Sequence, residues 1–169
     1  MPARKSLSHV DPRGRIRMVD VGGKPETARE AVASAEIRVS KAALAAVRRG
    51  AVKKGDPLQI ARIAGIMAAK RTSDMIPLCH PLALSHVDVD IKARPWGYEL
   101  RSVARTTGPT GVEMEALAAV TVAALTIYDM LKAVDRAMTI NRVAVLEKRG
   151  GRSGEYLSAA ARADRRRRR

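Results

Sequence analysis

The stretch from Gly111 to about Arg136 constrains this chain more than any other. Its interior, EALAAVTVAALTIYDMLKAV, is rich in Ala and Leu and carries few charges before Asp129. That composition predicts one long helix, with Thr110 placed to cap it. A helix that is apolar nearly all round must be buried on more than one side. In a chain of 169 residues, this points to burial against partner subunits. No uninterrupted run of eighteen apolar residues occurs, so the expectation is no membrane span.

The remaining elements arrange themselves around that helix. Val32, Ile37 and Val39 predict a first strand over 31–40. Ser40 can cap a helix over 41–49 that Gly50 ends. Asp56 followed by Pro57 reads as the cap and first residue of a second helix, LQIARIAGIMAAKR. The stretch 72–85 holds Pro77 and Pro81, which exclude a regular helix and leave a rigid apolar loop. HVDVDIKA and YELRSVAR alternate as strands on either side of a turn at Pro95-Trp96-Gly97. INRVAVLEK is a last strand, and GGRSGE a turn. Merging the two early helices into one crossover gives an α+β, ferredoxin-like βαββαβ order: an antiparallel sheet with helices on one face. The domain reading is a single domain over 1–156, whose residues 1–30 form a flexible arm, followed by a basic, disordered tail over 157–169.

Charge narrows the partners. Lys and Arg number 32 against 17 Asp and Glu, a net charge of +15. The excess calls for an anionic partner such as nucleic acid, nucleotide or phosphate. Aromatic residues are only 2% of the chain, which leaves almost no platform for stacking bases and argues against specific nucleic-acid binding. The Arg-rich tail reads as a solvated terminus, with incidental RNA affinity as the alternative. One cysteine, Cys79, allows no internal disulfide and no CxxC motif. The N-terminus has no apolar secretory core, so the expected location is the cytoplasm.

Three polar spots interrupt the apolar pattern. Lys53-Lys54-Gly55-Asp56 is either a phosphate-holding turn or a solvated one, and it lacks Walker spacing. His80, in Leu78-Cys79-His80-Pro81, is either an acid, base or phosphate ligand, or a packed histidine. No second His or Cys lies at metal-ligand spacing, so no metal site is expected. On the long helix, Glu113 and Glu115 favour its N-terminal dipole, whether or not they also bind something. Asp129 and Lys132 stand at i and i+3. In apolar surroundings they would be a proton-transfer couple with the lysine pKa lowered by burial, or else a structural ion pair. Glu115 and Asp129 share a helix face but lie about 21 Å apart along the axis. One small reacting centre cannot touch both in one chain, so either the ligand is long or the site is shared between subunits; the all-round apolar helix favours an interface between subunits.

Four stretches together resemble the MoaC family of molybdenum-cofactor biosynthesis. They are LSHVDPRGRIRMVDV, KKGDPLQIARIAGIMAAKRTSDMIPLCHPLALS, TGVEMEALAAVTVAALTIYDMLKAVD and GGRSGEY. The resemblance implies a ferredoxin-like subunit in a homohexamer, a trimer of dimers with sites at the dimer interface. It implies a lyase that takes (8S)-3′,8-cyclo-7,8-dihydroguanosine 5′-triphosphate to cyclic pyranopterin monophosphate and releases diphosphate. No redox cofactor is implied, although Mg²⁺ could accompany the triphosphate. By the same resemblance the catalytic residues fall on Asp129, Lys132 and Lys54. Substrate binding falls on Leu78, Cys79, His80, Glu113, Met114, Glu115 and Arg29. Where Pro109 stands, the family usually carries a lysine.

Overall fold

A computed structural model describes residues 9–11, 13–152 and 154–167. The elements run β1 (Thr27–Arg38), α1 (Lys41–Arg48), α2 (Pro57–Lys70), α3 (Thr72–Met75), β2 (Leu84–Arg94), β3 (Gly97–Gly108), α4 (Glu113–Leu131), β4 (Thr139–Arg149), β5 (Tyr156–Leu157) and α5 (Ala159–Arg167). The strands form one antiparallel sheet in the order β2-β3-β1-β4-β5. Its first four strands are the ferredoxin-like arrangement that the alternation of elements predicts.

Alternation along the strands separates the two sheet faces. Ala31, Ala33, Ala35 and Ile37 of β1, and Leu100 and Ala104 of β3, join the buried core with α4. The other face carries cross-strand ion pairs, among them Arg105 with Glu30 at 2.6 Å and Arg101 with Glu147 at 3.2 Å. Ala116, Ala119, Val120, Ala123 and Ile127 of α4 are all without exposed surface and belong to that core. Ser102 Oγ donates to the carbonyl of Ala116 at 2.7 Å and fixes the start of α4 over β3. α2 packs beside α4 at Gly65. A methyl group there would stand 2.7 Å from the Ala119 carbonyl oxygen, so the two backbones approach as closely as glycine permits.

α4 has the length and apolarity of a membrane-crossing helix. Its apolar character is used instead in the core, between the sheet and α2. Its all-round apolar surface is therefore satisfied in large part within the chain. A residue of it remains outside: Leu125 is 52% exposed, and on α2 Ile60, Ile63 and Met67 form an uncovered stripe.

Local signals place most boundaries. The Ser40 hydroxyl accepts from the Ala43 amide, and Gly50 closes α1 at φ 63°. Amides of Gly50 and Ala51 reach back to the carbonyls of Val47 and Ala46, a Schellman ending. Asp56 accepts from the amides of Leu58 and Gln59 ahead of Pro57.

Other boundaries differ from the sequence reading. β1 starts at Thr27, four residues before the expected strand, because its register against β3 continues to Gly108. Arg29 and Glu30 therefore belong to a strand and not to an arm over 1–30. Within 72–85, Thr72 to Met75 form one helical turn before Pro77 ends it. Thr110 does not cap α4: its N-cap is Val112, with no side-chain cap bond, and the helix stops at Leu131. The segment 159–167, expected as disordered, is α5. It is rooted by the Ser158 amide, which donates to the Leu146 carbonyl at 2.8 Å, and by the Ser158 hydroxyl, which accepts from the Ala161 amide at 3.1 Å.

Candidate active site

The residues singled out in the sequence fall into two groups at opposite ends of α4. At its N-terminal end lies a cleft of about 270 Å³, lined by Leu78, Cys79, His80, Glu113, Met114 and Glu115. Val19, Val21 and Lys24 of the segment before β1 form its other wall. The loop between α3 and β2 reaches the cleft because Pro77 and Pro81 stiffen it and Thr106 Oγ1 holds the Ala83 carbonyl at 2.7 Å.

Each group in this cleft has a defined state. Nε2 of His80 lies 2.7 Å from the Val19 carbonyl, which can only accept. Nε2 therefore carries a proton, and in the neutral ring Nδ1 is left as the acceptor. Glu115 is 4% exposed. Burial, with the charge of Glu113 adding to it, raises its carboxyl to about 6. Burial, and then the nearby Glu115 charge, also raises the Cys79 thiol, so Cys79 is no activated nucleophile. Glu113 folds over Gly111, where any Cβ would collide with its carboxylate, and pairs with Lys148 at 3.5 Å.

Beside this cleft lies a second, of about 410 Å³, lined by Arg29, Pro109, Gly151, Arg152 and Thr27 among others; Lys24 and Thr110 line both. Arg29 donates from Nε to the Gly108 carbonyl at 2.8 Å and from Nη2 to the Pro109 carbonyl at 2.9 Å.

The other group sits at the C-terminal end of α4. Asp129 accepts from Lys54 at 2.9 Å and from Lys132 at 2.7 Å. Lys54 comes from the turn before α2, and Lys132 is the C-cap of α4. Of the two sequence readings, a dry couple with a lowered lysine pKa or a structural ion pair, the structure has the ion pair. The three side chains are more than half exposed. Hydrogen bonds first from Lys132 and then from Lys54 lower the Asp129 carboxyl to about 2, and its hydrogen bond to Asp129 raises Lys132. Within one subunit the trio is a fixed charge cluster, one carboxylate between two ammonium groups.

Lys54, Asp129 and Lys132 thus come together, as do Leu78 to His80 with Glu113 to Glu115, while Arg29 stands in the neighbouring cleft. The two ends of α4 remain apart, as the helical rise requires. Sequence reasoning missed Lys24, Val19, Val21 and Arg152. Val19 and Val21 lie in LSHVDPRGRIRMVDV and Arg152 in GGRSGEY, stretches that carry the family resemblance without a site assignment, and Lys24 lies in a polar segment without periodic pattern. Among the described residues, no group of three or more His, Cys, Asp or Glu could hold a metal ion.

A model of the MoaC family matches residues 18–151. This chain belongs to the MoaC family. It is 56% identical over 152 residues to a protein of Thermomicrobium roseum named cyclic pyranopterin monophosphate synthase, which covers 89% of this chain and 92% of that protein. It is 57% identical over 153 residues to a protein of the same name from Novosphingobium aromaticivorans, with 90% and 98% covered. A third relative of that name, from Peptoclostridium acidaminophilum, is 52% identical over 150 residues. The MoaC match contains both ends of α4, the Lys54 turn and the His80 loop. Arg152 and α5 lie beyond its last residue.

Proposed function

We propose that this chain is a cyclic pyranopterin monophosphate synthase, a lyase of molybdenum-cofactor biosynthesis. Its substrate is the cyclised dihydroguanosine triphosphate, and its products are cyclic pyranopterin monophosphate and diphosphate. The observation that carries this reading is identity above one half to synthases along nine-tenths of the chain. The net charge of +15 agrees with a substrate bearing roughly four negative charges.

The chemistry asked of the site is opening and reclosing of rings by proton transfers, then attack of a sugar oxygen on the proximal phosphate. Lys54 and Lys132 are the cations that would stabilise the developing phosphate charge. Asp129 orients both. With its carboxyl near 2 it is a weak base in the open subunit. Its work as a base requires that substrate or a neighbouring subunit exclude water and draw the lysines away. Glu115, near 6, is the group poised for proton exchange close to neutral pH, and beside it the neutral ring of His80 presents Nδ1 as an acceptor. Any Mg²⁺ would arrive with the triphosphate.

The site is shared between subunits in this reading. Glu115 and Asp129 are about 21 Å apart along one helix. The uncovered Ile60, Ile63 and Met67 stripe, close to the Lys54 turn in sequence, supplies apolar surface for a partner. We place the assembly as a cytoplasmic homohexamer, a trimer of dimers.

A complementation assay tests function and sharing together. Wild type should form pterin and diphosphate, and Lys54→Ala and Glu115→Gln should each be nearly inactive. Unfolding and reassembling the two variants together should restore about a quarter of the wild-type rate, the share of composite sites with both halves intact under random dimer mixing. Inactive wild type overturns the synthase reading. Active wild type with no restoration, in mixtures shown to contain heteromers, overturns the shared site.

A further inference from the structure

β3 carries two buried hydroxyls that no step of the proposed reaction uses. Ser102 is 1% exposed and Thr106 4% exposed. With Leu100 and Ala104 they occupy alternate positions of the strand, on the face turned toward the helices. Each hydroxyl donates to a backbone carbonyl outside the sheet. Ser102 Oγ reaches the Ala116 carbonyl at 2.7 Å, one residue beyond Glu115. Thr106 Oγ1 reaches the Ala83 carbonyl at 2.7 Å, three residues beyond His80. The two carbonyls belong to opposite walls of the first cleft, the start of α4 and the loop that carries Cys79 and His80.

Regular structure alone demands neither bond. Ala116 lies inside α4, where the helical ladder already uses its carbonyl, so Ser102 is a second donor to it. Ala83 stands just before β2. There Leu84 pairs with Thr106 but His86 with Arg105, which makes Ser85 a bulge. A bulge bends its strand and re-aims the neighbouring chain, and the Thr106 hydroxyl ties the chain down at that bend. Between Ala83 and His80, Pro81 fixes its own φ and Leu82 packs against the core, so a shift at Ala83 is passed on to His80. The two hydroxyls are four positions apart, about 13 Å along a strand. β3 is paired on both sides, with β1 and with β2, so that separation is held rigid.

We propose that Ser102 and Thr106 are positioning residues of the cleft: from one rigid strand they hold its two walls in register, Thr106 aiming His80 and Ser102 seating Glu115. The link to turnover rests on the synthase reading. The positioning itself is a property of the chain and is measured without substrate.

Histidine labelled with ¹⁵N reports the first role in the full chain. Only three histidines contribute, and His80→Gln identifies the signal of His80. In wild type the neutral ring should be protonated at Nε2, as its bond to the Val19 carbonyl requires. Thr106→Val, which removes the hydroxyl, should mix the two tautomers, and Thr106→Ser, which keeps it, should retain the wild-type pattern. Thr106→Ala carries the same expectation as Thr106→Val if valine prevents folding. Ser102→Ala should instead lower the Glu115 midpoint from about 6 toward 4.5, read by carboxyl NMR, because a loosened seat admits water. In turnover, Thr106→Val should lose about tenfold in kcat/KM, the equivalent of one hydrogen bond, and nothing further when combined with His80→Gln. An unchanged His80 tautomer in Thr106→Val, or equal losses in Thr106→Val and Thr106→Ser, overturns the aiming of His80. An unmoved Glu115 midpoint in Ser102→Ala overturns the seating of Glu115. Signals that move as expected in a chain with no synthase turnover would support the positioning while overturning the functional reading.

Discussion

Glu115 is a charged residue where the fold provides little to receive a charge, and its replacement by glutamine measures that conflict. The side chain is 4% exposed, and its carboxyl rises from 4.5 to about 6. For an acid with a raised folded value the native state binds more protons than the unfolded chain between those two limits. Stability therefore falls as pH rises from about 4.5, and the loss is complete a little above 6. A shift of this size corresponds to about 2 kcal/mol. Glu115→Gln keeps the shape and removes the titration. Any fixed difference between amide and acid is present at all pH values, so the informative quantity is how the variant's advantage changes. Between pH 4 and pH 8, the stability of the variant relative to wild type should rise by about 2 kcal/mol. For a chain of this size that is about 4–8 °C in Tm. Urea and thermal melts at matched protein concentration measure it, so that any association contributes equally to both proteins. Carboxylates elsewhere titrate in both proteins and cancel. A variant whose relative stability is the same at pH 4 and pH 8 would refute the burial argument. The same variant should lose turnover, because a stabilising change at a strained cleft residue removes the group that the strain maintains.

Two further outcomes follow from the packing and the charge cluster. Gly65→Ala, normally a favourable change in a helix, should instead destabilise by about 1–3 kcal/mol in urea melts, because the new methyl meets the Ala119 carbonyl at 2.7 Å; equal or greater stability would mean that α2 and α4 separate freely. The Asp129 carboxyl should titrate near 2 by carbon-detected NMR and move upward in Lys132→Met; a wild-type midpoint near 3.8 would dissolve the trio as an ion-paired unit.

Much of the fold is legible in the sequence because it rests on local chemistry. Ser40, Gly50, Asp56 and Pro57 each act within a few residues, and the structure uses all four. Alternation names the strands, but it cannot carry β1 back to Thr27, since the polar residues there extend the ladder through backbone pairing with β3. Thr110 has the residue type of a cap and nothing more. Tertiary contacts set the start of α4 instead: Glu113 covers Gly111, and Ser102 anchors Ala116. The helical period places Glu115 and Asp129 on one face and gives their separation. It says nothing of the environment at each end. Asp129 is exposed and ion-paired, Glu115 buried, although both sit on the same apolar helix. Burial depends on which loops arrive there, and loops such as 19–24 carry no periodic signal.

The contrast between the two ends of α4 has a physical consequence. The exposed end holds charges that water stabilises, so Lys54, Asp129 and Lys132 exist in the open subunit at little cost. The enclosed end holds a carboxyl poised near neutrality and a histidine fixed by a backbone carbonyl, a state that needs the walls around it. On the proposed shared site, bringing an exposed charge cluster against an enclosed cleft would dehydrate the lysines only when substrate anion is there to compensate them. A cleft that assembled all these groups within one chain would bury the two ammonium ions permanently, at a desolvation cost of several kcal/mol per ion. In the shared site proposed above, dividing the groups along a rigid helix, locked to its neighbour at Gly65, would keep that cost out of folding and defer it to the bound state, where the phosphate charges would offset it.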